Sequence, residues 1–165
     1  MKFTEDTGFD RHERSIAAAA ALAALAVYCL TLAPTITGED SGEFITAAKV
    51  LGVTHPPGYP LYCLIAHAFT WLPFGEIAWR VNLMSAVFGA ATVYLLALLV
   101  ILFTRNRPAA VAAGLLFAFS REFWKQAVIA EVYTLTAFFF VLCLLLLFRW
   151  ERSRNDRLLL VFAAV

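Results

Sequence analysis

Three long apolar runs constrain this chain more than any other feature. They lie at about 16–33, 81–103 and 127–148, and each approaches the length of a membrane-crossing helix. A span needs ~20 apolar residues, because a rise of about 1.5 Å per residue must cover ~30 Å of hydrocarbon. Shorter apolar segments occur at 60–72 and 108–119, and another opens at 158 and is still running at Val165. Inside lipid every backbone N–H and C=O must find a partner within the fold, so the runs read as helices. A chain of 165 residues that is 62% hydrophobic cannot bury that much apolar surface in its own core. The expected fold is therefore all-α, a polytopic transmembrane helical bundle of which this is the N-terminal portion.

Charge and cysteine content remove several other classes. The formal net charge is +1, and no basic patch is interleaved with aromatics, so no nucleic-acid partner is expected. Cys29, Cys63 and Cys143 sit inside apolar runs at spacings that match no zinc motif and no disulfide framework. Residues 1–15 are polar and read as a cytoplasmic N-terminus, with the membrane domain occupying 16–165. The run from Ile16 exceeds the short core of a signal peptide and reads as an uncleaved first span.

Lysine and arginine placement bears on topology, because these residues favour the cytoplasmic side. If 60–72 does not cross, nine basic residues fall inside and four outside. If it crosses, six fall inside and seven outside, with Arg149 to Arg157 stranded on the wrong face. The first arrangement is preferred, so 60–72 is expected to lie on the membrane surface or dip into it. It makes about 34–79 a long extracytoplasmic loop and puts residues near 120–131 on the same side.

Those two loops hold the residues that can do chemistry. Glu39, Asp40 and Glu43 form an acidic cluster at the mouth of a span. Asp40 and Glu43 share a helix face at i, i+3, which suits a general base near a low-dielectric wall. The same spacing suits an N-cap with a capping-box glutamate, and spacing alone leaves both readings open. His55 begins a rigid His-Pro-Pro-Gly-Tyr-Pro turn at 55–60 that can open a helix at Pro60, and it can serve as a phosphate contact or an acid. Glu131 stands in an apolar stretch, where an ionisable group is a functional candidate or the partner of Arg121 or Lys125. Arg80 precedes the long span and can hold a headgroup or snorkel, and Asn82 suits helix–helix hydrogen bonding.

Together, Glu39-Asp40-Ser41-Gly42-Glu43, His55-Pro56-Pro57-Gly58-Tyr59-Pro60, the Arg80-containing stretch 76–82 and Ala130-Glu131-Val132-Tyr133 resemble the GT-C superfamily of membrane glycosyltransferases. The likeness is strongest to protein O-mannosyltransferases and covers about residues 16–149. Two departures stand out: Ser41 follows Asp40 where those enzymes carry Asp-Glu, and Gly58-Tyr59-Pro60 replaces their Leu-Gly-Lys continuation. The resemblance implies transfer of a sugar, with mannose the expected one, from a polyprenyl-phosphate donor to a protein or glycan hydroxyl on the extracytoplasmic side. It makes Asp40 the base, with Glu43 beside it, and places Glu39, His55, Tyr59, Arg80 and Glu131 around the substrates. It names no certain cofactor and leaves a divalent metal open; the expected partners are membrane lipid, the lipid-linked donor and the acceptor. The competing reading is a non-enzymatic transporter or lipid-binding subunit. Transporters usually set their acids near the midplane and in repeated halves, and this chain shows no repeat.

Overall fold

The computed structural model describes residues 8–164, and all regular elements among them are α-helices. They are α1 (Arg11–Thr31), α2 (Ser41–Val50), α3 (Pro60–Phe69), α4 (Ile77–Thr104), α5 (Arg107–Ala118), α6 (Arg121–Ala127), α7 (Tyr133–Ser153) and α8 (Asp156–Ala164). Helices α1, α4 and α7 are long and apolar enough to cross a membrane. The ten residues of α3 extend only ~15 Å and the twelve of α5 only ~18 Å, both short of the hydrocarbon thickness.

Two boundaries differ from the apolar pattern, for local reasons. The first helix begins at Arg11 rather than Ile16, because Asp10 and Glu13 close a capping box. Asp10 Oδ1 accepts from the Glu13 amide at 2.6 Å, and Glu13 Oε2 accepts from the Asp10 amide at 3.0 Å. The third long helix begins at Tyr133 rather than near 127, because the backbone just before it bonds elsewhere. Val128 O accepts from the Ala33 amide at 3.0 Å, and the Glu131 amide approaches Ser85 Oγ at 3.5 Å. Glu131 therefore lies in a connection between helices and not in a span.

Helix α4 packs against α1, α5 and α7. The face that α1 buries is Ala17, Ala20, Ala21, Ala24 and Tyr28, a helical stripe of small residues ending in one large ring. Gly89 allows a close approach of three helices: a Cβ there would stand 3.2 Å from Ala127 Cβ, 3.3 Å from Tyr28 Cε2 and 3.6 Å from Thr134 Cγ2. Gly89→Val is expected to destabilise the protein by about 1–3 kcal/mol through overpacking. Denaturation of the purified protein in detergent checks this; an unchanged midpoint would show that the junction has slack.

The bundle has two distinct ends. At one, Tyr28 Oη donates to Ala118 O at 2.8 Å, and Trp124 Nε1 donates to Thr31 Oγ1 at 3.1 Å. There Asn82 Nδ2 donates to Ala33 O at 2.8 Å and Thr35 O at 3.2 Å. Asn82 thus ties α4 to the strap after α1, not to another helix as expected, because that strap leaves carbonyls unpaired beside it. At the other end, Arg107 Nη2 meets Asp10 Oδ2 at 2.7 Å, the Arg152 guanidinium donates to Leu102 O, and Arg149 lies 5.4 Å over the Phe9 ring. The first end carries the 34–79 loop and the 120–132 connection.

Candidate active site

The acidic motif is held where the strap after α1 turns into α2. Glu39 is in the left-handed region at φ 62°, and Asp40 occupies the N-cap, its carbonyl accepting from the Phe44 amide at 3.0 Å. Its carboxylate makes no capping hydrogen bond. Glu43 does not reach back either. Its two oxygens face His55: Oε1 accepts from the His55 amide at 2.5 Å, and Oε2 lies 2.9 Å from Nδ1. The capping box allowed by the sequence is therefore absent at Asp40, since the turn at 55–58 offers Glu43 a two-point partner.

The imidazole is thereby fixed between two carboxylates. His55 Nε2 is 4.0 Å from Asp40 Oδ2. Phe44 and Tyr59 hold the other sides of the ring, with centroids at 5.9 and 5.5 Å in edge-on contacts. The hydrogen bond that His55 donates to the Glu43 carboxylate raises the His55 pKa, and the same bond lowers that of Glu43. One ligand atom from each of Asp40, Glu43 and His55 falls within 4.8 Å of the others.

The second connection closes on the first. Glu131 is buried, and its Oε1 accepts from the Asp40 amide at 3.1 Å across 91 residues of chain. Burial raises its pKa; the bond from Asp40 opposes this and the nearby charges of Asp40 and Glu39 add to it. Beneath it, Ser85 Oγ lies 3.4 Å from Glu131 O. The expected pairing of Glu131 with Arg121 or Lys125 does not form. Lys125 ion-pairs with Glu39, which lowers the Glu39 pKa, and Arg121 lies 3.9 Å from Glu122. Gln126 Nε2 adds a 3.3 Å bond to Glu39 Oε2. The partners of Glu39 and the support under Glu131 had no sequence signal, because each is set by packing between distant segments.

Arg80 stands apart. Its guanidinium donates to Thr70 O at 2.7 Å, Phe74 O at 2.8 Å and Gly75 O at 2.7 Å, so it clamps the turn before α4. It also lines an open cavity of about 560 Å³ with Lys49, Thr46, Ile45 and Ile77, to which none of Asp40, Glu43, His55 and Glu131 contributes. A second groove, about 200 Å³, adjoins the acidic group and is walled by Tyr59, Tyr62, Val132, Leu135 and Phe139.

Fold and site thus define an all-α chain with three helices of spanning length and apolarity, and with carboxylates and an imidazole gathered at one end. The chain belongs to the family described as the protein O-mannosyl-transferase TMEM260 N-terminal domain, whose model matches residues 40–165. It is 43% identical over 140 residues to protein O-mannosyl-transferase TMEM260 of Mus musculus, covering 84% of this chain and 20% of that protein. It is 30% identical over 137 residues to protein O-mannosyl-transferase tmem260 of Dictyostelium discoideum, covering 79% of this chain and 17% of that one. The chain thus spans a fifth or less of these relatives' lengths. No solved structure matches it.

Proposed function

We propose that this chain is part of a membrane glycosyltransferase that moves mannose from a polyprenyl-phosphate carrier to a protein hydroxyl, with Asp40 as general base. The observation that carries this is the convergence of Asp40, Glu43, His55 and Glu131 from two separate segments at one end of the bundle. The names of the relatives supply the sugar and the acceptor class. The excess of lysine and arginine at the opposite end supports an extracytoplasmic position for the site.

In this reading Asp40 takes the proton from the acceptor hydroxyl as its oxygen attacks the anomeric carbon. A new carbon–oxygen bond forms, the bond from the anomeric carbon to the phosphate oxygen breaks, and its electron pair leaves with the polyprenyl phosphate. Glu43 keeps the His55 imidazole in place beside Asp40, and Glu131 holds the Asp40 backbone. The aromatic groove beside Tyr59 and Tyr62 suits the first isoprene units of the carrier. Arg80 and Lys49 place positive charge on the wall of a separate cavity.

The test is a transfer assay on the full-length protein in membranes, with polyprenyl-phosphate mannose and a serine- or threonine-containing peptide. Direct attack inverts the anomeric centre, so the expected product has the configuration opposite to the donor. A retained configuration would remove the single-displacement mechanism. If no transfer occurs and sugar-phosphate flux across vesicles appears instead, the transporter reading replaces this one.

A further inference from the structure

Glu39 has a backbone conformation at odds with its side chain. Its φ of 62° lies in the left-handed region, where a Cβ crowds the following carbonyl and glycine alone is at ease. A free residue with a side chain favours other conformations by roughly tenfold. Packing along the strap does not impose the choice, since even a Cβ at Gly38 would meet nothing within 4 Å.

The side chain is held instead. Glu39 Oε1 ion-pairs with Lys125 Nζ, and Oε2 accepts from Gln126 Nε2 at 3.3 Å, so α6 grips both oxygens. One residue further on, the Asp40 amide donates to Glu131 Oε1 at 3.1 Å. At the start of the strap, the Ala33 amide donates to Val128 O at 3.0 Å. The strap is thus fastened at both ends to one stretch of chain, 125–131. An exposed ion pair adds little to global stability, and the Lys125 and Glu39 side chains are 54% and 37% exposed. Its consequence here is local. It selects the backbone conformation of the residue before Asp40, and that conformation sets where the Asp40 carboxylate stands beside His55.

We infer that Lys125, helped by Gln126, is a positioning residue for Asp40. By gripping the Glu39 carboxylate it keeps residue 39 left-handed, and Glu39 serves as a handle on the strap. The effect on transfer rests on the transferase reading; the grip itself does not.

The experiment uses full-length protein in nanodiscs and two readouts: transfer of polyprenyl-phosphate mannose to peptide, and deuterium exchange of segment 33–44 without donor. Glu39→Ala and Glu39→Gly both remove the carboxylate, but only glycine adopts a positive φ freely. Glycine is therefore expected to give a kcat roughly tenfold above alanine at similar KM, with slower exchange at the Asp40 amide. Lys125→Met should bring wild type toward the rate and exchange of Glu39→Ala, yet cost little further when combined with Glu39→Gly. If the glycine variant fails to fold by its melting curve, Glu39→Asn takes its place, because asparagine also tolerates the left-handed region. Alanine and glycine variants alike in both readouts would overturn the inference. So would a Lys125→Met loss that is undiminished with glycine at 39, which would mean that the lysine acts through its own charge. The expected order of exchange, with no transfer by wild type, would keep the grip and remove the transferase reading. Normal wild-type transfer with no difference between alanine and glycine would do the reverse.

Discussion

Asp40→Asn in the full-length protein is expected to slow sugar transfer by roughly 10²–10⁴-fold, the usual worth of a positioned base. Its melting behaviour should hardly change. An aspartate that caps a helix is worth about 0.5–2 kcal/mol. Asp40 occupies the cap position, but its side chain accepts no hydrogen bond there, and its backbone contacts with Phe44 and Glu131 survive the substitution. A side chain in that position with no structural bond of its own is free for chemistry. Asp10 provides the internal control, since it caps α1 with a full capping box. Asp10→Ala should shift stability and leave transfer intact, the opposite pattern. If Asp40→Asn transfers normally, Asp40 is not the base, and the acidic motif serves some other purpose at the end of the bundle.

The contrast between these two aspartates shows what the sequence could and could not reveal. Both are followed by glutamate at the third position, so both look like capping boxes on spacing. The difference lies in what else the glutamate can reach. Glu13 bonds back to its own first turn and lies 3.9 Å from Arg105, whereas Glu43 meets His55 with both oxygens. The long helices were legible because lipid-facing runs must be apolar along their whole length. The start of α7 was not, because residues 128–132 are as apolar as a helix and leave helical geometry only through bonds to Ala33 and Ser85. The candidate acids and His55 were legible as isolated polar residues in apolar surroundings. Their supporting partners, Lys125 and Gln126 on Glu39 and Ser85 under Glu131, lie on other segments and acquire meaning only in the folded chain. Arg80 was read from its position as a headgroup contact or a snorkelling residue, and its bonds to Thr70, Phe74 and Gly75 add a clamp on the turn that starts α4.

Glu131→Leu should lower transfer by about 100-fold, the scale expected when a reacting group is displaced by about 1 Å. Leucine fills a similar volume but leaves the Asp40 amide without its acceptor, and an unsatisfied donor there costs about 1–3 kcal/mol if it stays buried. The strap carrying Asp40 would then shift toward water. Glu131→Gln keeps an oxygen for that amide, so its transfer rate should fall much less. The two variants therefore separate position from charge. They should differ in stability as well. Burial raises the Glu131 pKa above its ordinary 4.5, so the folded state favours the neutral carboxyl. Stability from that group is complete below 4.5 and declines as pH rises through the folded value. Glutamine cannot ionise, so the variant should match or exceed wild type in melting temperature at neutral pH, and the advantage should shrink on acidification. A variant that is more stable yet slower would mark Glu131 as a residue kept for function at the expense of the fold. If Glu131→Leu transfers at the wild-type rate, the bond to Asp40 is idle, and the two loops meet at this end of the bundle without acting together.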